Sequence, residues 1–266
     1  MATAATVDVR GPLTTSDKWF YVWMGGLCML LPLGGFGGTY LAPTARGTFE
    51  EPTILHLHAL LSFGWTGLFV VQSSLIAQRR VARHRTIGLA GISLATATFF
   101  TGVIVAIKAM DVGIAAGGGE SARAFAIVPL SIIATFAGLV AAAIANVKRP
   151  EYHKRLMLMA TASIMPPAIG RLIGMAAGSQ TMLGPRQFGV PPPSVGAGLA
   201  AGTVVGIASD LLIVGAMIYD WRTKGRPHRV YWIAGGIIVA VQVARIPMSS
   251  TGAWTGFTDL LSSLAR

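Results

Sequence analysis

Apolar residues come along this chain in seven long runs, roughly residues 19–42, 54–78, 87–108, 125–147, 156–177, 196–219 and 230–250. About 20 apolar residues carry a helix across a ~30 Å hydrocarbon core. In lipid a backbone must satisfy its own hydrogen bonds, so the runs are expected to be helices. The expected fold class is all-α, a polytopic membrane bundle of about seven transmembrane helices. Residues 1–18 read as a polar amino-terminal tail, 19–250 as the bundle and 251–266 as a carboxyl-terminal tail. The first run is too long for a simple signal-peptide core and more spans follow it, so it is expected to be retained. In the last tail Trp254, Phe257, Leu260, Leu261 and Leu264 fall on one helical face, which predicts a short helix in the membrane interface.

The loops are of two kinds. Those after the second, fourth and sixth runs are short and basic, with Arg79, Arg80, Arg83 and Arg85, then Lys148, Arg149, Lys154 and Arg155, then Arg222, Lys224, Arg226 and Arg229. The alternate loops, "GIAAGGGESARA" and "GPRQFGVPPPSV", are rich in Gly and Pro and poor in charge. The positive-inside rule then places the basic loops and the amino terminus in the cytoplasm, as expected in a bacterial inner membrane. This also accounts for a net charge of +11, which in a soluble protein would suggest nucleic acid. With 53% hydrophobic residues, 12% charged and a mean hydropathy of +0.63, the partner expected is the lipid bilayer, not nucleic acid. A soluble domain carries about a quarter charged residues. The single cysteine, Cys28, can form neither an internal disulfide nor a thiolate cluster.

The basic loops align as "RRVARHRTIG", "KRPEYHKRLM" and "RTKGRPHRVYW". Sixteen residues after Arg155 stands Arg171, and sixteen after Arg229 stands Arg245; the matching position in the first copy is Thr101. The bundle therefore reads as three related hairpins plus one amino-terminal span. Gly198, Gly202 and Gly206 recur at four-residue steps, which lets two helix backbones approach, within the bundle, in a homo-oligomer or against another membrane subunit. Pro166–Pro167 predicts a kink in the fifth span.

Ionisable residues inside spans are costly and so mark candidate sites. His58 lies roughly 8 Å in from the outer face, and Arg171 and Arg245 lie about 24 Å from their cytoplasmic arginines, at 1.5 Å per residue. His56, His58, Arg171 and Arg245 are thus expected in one outer layer, with the arginines suited to a carboxylate, a phosphate or haem propionates. The alternative is that both arginines snorkel to headgroups. His56 and His58 point about 200° apart on a helix, so they cannot grip one metal together. His58 shares a face with Trp65 and Gln72 and is the expected inward ligand to haem or metal; the competing reading is a hydrogen bond to a neighbouring helix. His84, His153 and His228 form a second layer, which could hold haem b with propionates on the arginines, or simply line the interface. Asp210 is expected to be the counter-charge for one basic loop. No nucleotide loop, dinucleotide fingerprint, zinc helix or nucleophile elbow appears, so no catalytic residue and no enzymatic activity is assigned.

The stretch "HLHALLSFGWTGLFVVQSSLIAQRRVARHRTIG", with "EYHKRLMLMATASIMPPAIGR" after it, resembles bacterial multi-pass membrane families with His-Arg-x-x-Gly hairpins, here His84, Arg85 and Gly88. More distantly it is similar to membrane cytochromes b, whose paired histidines ligate haem. This chain departs from them in having no histidine deep in spans three to seven. The resemblance implies a haem-binding redox or electron-transfer role. Two alternatives stand beside it: a transporter or binder of a small anionic or lipophilic ligand, and an assembly or structural subunit of a respiratory complex.

Overall fold

In the computed structural model residues 15–179 and 188–264 are described, with side chains from residue 19 onward. Most of the polar amino-terminal tail and part of the "GPRQFGVPPPSV" loop lie outside the described residues, while Thr15–Lys18 already belong to the first helix. The chain forms α1 (Thr15–Phe36), α2 (Thr53–Ala77), α3 (Val81–Gly113), α4 (Gly119–Phe125), α5 (Ile127–Ala145), α6 (Pro150–Ser163), α7 (Pro166–Ala176), α8 (Val195–Lys224), α9 (Arg229–Met248) and α10 (Gly252–Leu264), with no strand among the described residues. Among the described residues, six helical segments are long and apolar enough to cross a membrane. The pair α6 and α7, bent by 47°, makes a seventh crossing if counted as one span.

The bend follows from proline chemistry. Pro166 and Pro167 have no N–H to return to the carbonyls of Ala162 and Ser163. The Met165 N–H takes the Ala162 carbonyl instead at 3.1 Å, and α7 restarts on the two prolines. Elsewhere the ends are set by side chains. Ser194 caps α8 by accepting from the Ala197 N–H at 3.1 Å, and Gly225 ends it at φ 75°, where a side chain would be strained. The expected loop "GIAAGGGESARA" is helical instead. A π turn over Ile114–Gly118 carries α3 onward, and Gly117 at φ 87° reverses the backbone into α4.

Helix α6 is the hub of the bundle, since Leu156, Leu158, Met159, Ala160, Thr161 and Ala162 are all buried. It packs on α1, α2, α5, α8 and α9. Trp65 reaches it from α2, donating its indole N–H to the Thr161 hydroxyl at 3.2 Å while its ring meets Phe136 edge-on. Large apolar side chains such as Leu30, Leu60, Leu89, Phe100, Leu211 and Val243 face outward, as lipid requires.

The glycine stripe is used within the bundle. A side chain on Gly198 would meet Pro192 and Phe125, on Gly202 Val128, and on Gly206 the Gln242 carboxamide. Within the chain it is met by Phe125 of α4, Pro192, α5 and α9. The tail is helical as expected, but its rotation differs. Trp254, Thr258 and Ser262 are buried against the protein, whereas Phe257, Leu260 and Leu264 face outward. Trp254 donates to the Arg123 carbonyl at 2.9 Å, Ser262 to Asp111 at 2.6 Å, and Arg123 pairs with Asp259. Polar residues tie α10 down, so its apolar residues are left for lipid.

Candidate functional site

The seven histidines and arginines singled out from the sequence fall into separate environments. His58 turns inward: its Nδ1 is 3.0 Å from the Thr101 hydroxyl and its Nε2 is 3.4 Å from Ser62. Both ring nitrogens therefore have protein partners, one on α3 and one on its own helix. Thr101, the repeat counterpart of Arg171 and Arg245, is the residue His58 meets. His56 faces the other way, with its Nδ1 3.1 Å from the Tyr40 hydroxyl and its ring among Tyr40 and Phe49.

Arg171 turns to α1. Its guanidinium stacks 4.1 Å above the Phe36 ring, donates to Thr39 at 3.2 Å and reaches back to the Pro167 carbonyl at 2.8 Å. Arg171 and His56 thus engage consecutive residues, Thr39 and Tyr40, on a π turn that extends α1 over Gly37–Leu41. Arg245 turns to α8, where it is 3% exposed and donates to the Gly202 carbonyl at 2.7 Å. It does not snorkel. The four residues expected in one layer find hydrogen-bond partners on α3, on α1 with its π turn, and on α8.

At the basic face His84 and His153 lie together, with ring centroids 6.3 Å apart and planes at 88°. His153 Nδ1 is 2.9 Å from the Ala143 carbonyl, while His84 Nδ1 and the nearby Gln72 Oε1 are buried without a partner. His228 stands apart from them. Its ring meets Tyr152 edge-on at 4.9 Å, and its Nδ1 accepts from the Val230 N–H at 3.3 Å, capping α9. Burial, and then the positive charge of Arg155, hold the His228 imidazole below its ordinary value, which favours the neutral ring that such a cap needs. Among the described residues no group of three or more His, Cys, Asp and Glu side chains could hold a metal ion.

The sequence reading missed the strongest electrostatic feature. Arg155 is wholly buried and donates through Nε and Nη2 to Asp220 at 2.7 and 2.5 Å, and through Nη1 to Glu151 at 2.6 Å. Lys224 adds a 3.0 Å contact to Asp220, and Lys154 a 2.6 Å contact to Glu151. The spacings Glu151/Arg155 and Asp220/Lys224, each four residues, were a visible signal for local pairs. Nothing in the sequence joined one pair to the other.

Asp210 does not serve a basic loop. It sits in a small cleft where α5, the α6–α7 break, α8 and α9 meet, lined by Ser131, Thr135, Ser163, Ser209, Asp210, Gln242 and Arg245. Gln242 donates to Asp210 at 3.0 Å, and no direct ion pair forms between Asp210 and Arg245. Ser131, Ser163 and Ser209 return their protons to carbonyls of their own helices at 2.8–2.9 Å. One strong donor remains unspent: Arg245 Nε is buried and has no hydrogen-bond partner. A buried donor without an acceptor costs about 1–3 kcal/mol, more for a charged group.

No family model matches the chain, and neither a curated protein nor a solved structure matches it.

Proposed function

We propose that this protein binds a small anion within the membrane, in the cleft between α5, α8, α9 and the broken sixth and seventh helices, as a carrier or receptor for that solute. The observation that supports the reading is that Arg245, with its Nε unpartnered, lines a small cleft of mixed apolar and polar residues beside Asp210. A guanidinium keeps its charge when buried and offers planar donors to a carboxylate or similar anion. The setting fits: irregular backbone at membrane depth is tolerated where it lines a cavity, and interrupted helices build many transporter sites. By the positive-inside rule we place the basic loops in the cytoplasm of a bacterial cell, with the cleft reached from within the bilayer span.

The test is thermal unfolding of detergent-purified protein with sodium acetate, formate, phosphate or sulfate. At a hundred times Kd a ligand adds about 2.7 kcal/mol, which at this size raises Tm by roughly 5 °C or more. Arg245→Gln is expected to lose that shift. No shift with any of the four, or an equal shift in Arg245→Gln, would overturn the reading.

A second reading, haem at the basic face between His84 and His153, is favoured by their paired rings and the unpartnered His84 Nδ1. It predicts a Soret band in the purified protein, lost in His84→Ala and His153→Ala. Colourless protein expressed with ample haem would dispose of it.

A further inference from the structure

The cleft pairs its cation with an acid in an unusual way. Arg245 spends Nη2 on the Gly202 carbonyl, Asp210 accepts from Gln242, and the two charges face the same space without touching. Among the residues that line the cleft they are the only ionisable ones; Ser131 and Thr135 on α5, Ser163 at the break and Gln242 on α9 are neutral. The side chains lining the cleft therefore carry no net charge when Asp210 is ionised. An anion placed on Arg245 leaves one uncompensated negative charge in a medium where such charges are expensive.

We infer that Asp210 takes up one proton from water each time an anion occupies the cleft, so that the site binds an anion together with a proton. The inference rests on the reading of the cleft as an anion site. The step forms one O–H bond on the Asp210 carboxylate, breaks none in the protein, and returns the cleft to neutrality. Gln242 is the positioning residue: its carboxamide can donate to the ionised acid and, turned over, accept from the protonated one. A carrier built this way would move acid equivalents across the membrane.

Binding that absorbs one proton changes affinity by about tenfold per pH unit. Acetate is the probe, its apparent Kd read from Tm titrations between about pH 6 and about pH 8, where acetate itself stays ionised. In the native protein affinity should tighten by up to tenfold for each unit of acidification. In Asp210→Asn, which mimics the protonated acid, it should be tight and independent of pH. A native affinity that does not vary with pH overturns the inference while leaving the anion site standing. So does an Asp210→Asn protein that keeps the native slope or no longer binds acetate. If acetate binds neither protein at any pH, the anion site and the inference fall together.

Discussion

Replacing Asp220 with alanine is expected to cost about 3 kcal/mol of stability, the low end of the range for breaking a buried ion pair. Arg155 has no exposed atom through which water could replace the lost carboxylate, and two of its three donor edges point at Asp220. Glu151 remains on Nη1, which keeps the cost from rising further. For a chain of this size the loss should appear as a fall in Tm of roughly 6–12 °C. Arg123 and Asp259 supply the control. Their pair is formed by a carboxylate whose side chain is 60% exposed, and its removal should cost under ~1 kcal/mol. Equal losses at Asp220 and Asp259 would mean that the buried network does not hold the basic face together. The same network ties α6 to α8.

Gly35→Leu is expected to be comparably damaging, at about 3 kcal/mol, for a steric reason. A Cβ on Gly35 would fall on the backbone of Ala168, whose carbonyl oxygen and Cα cannot yield as a flexible side chain would. Helices α1 and α7 must then separate, which also unseats Arg171 from Phe36 and Thr39. Overpacking against movable side chains costs about 1–3 kcal/mol, and a backbone collision belongs at the top of that range. Gly26, on the same helix, has open space where its Cβ would stand. Gly26→Leu should therefore leave Tm within about 2 °C of the native value. Equal effects at the two positions would show that the close approach of α1 and α7 contributes little.

These two sites show what could be read from the sequence and what could not. Hydropathy located every span, because lipid imposes one simple demand on about 20 residues at a time. The basic loops could be recognised for the same reason. The side-chain partners depend on how each helix is rotated and which neighbour it meets, and one chain's periodicity does not carry that. Asp220 and Arg155 are separated by 65 positions and read as two unrelated loop charges until α6 and α8 pack. The repeat brought out Arg171 and Arg245 as a pair; that one turns to α1 and the other to α8 was not legible. The tail repeats the lesson. Its apolar stripe predicted a helix, while the polar positions Thr258 and Ser262 decided which side meets the protein. Asp210 was noticed as a costly charge, but its partner Gln242 lies 32 residues on and is set by packing.

The most direct trial of the account is crystallography of the protein in sodium bromide, whose anion is small, monovalent and visible by anomalous scattering. The account predicts a bromide peak in the cleft beside the Arg245 guanidinium, between Ser131, Ser209 and Gln242, and none there in Arg245→Gln. Peaks confined to the arginines of the basic loops, with nothing beside Arg245, would contradict it.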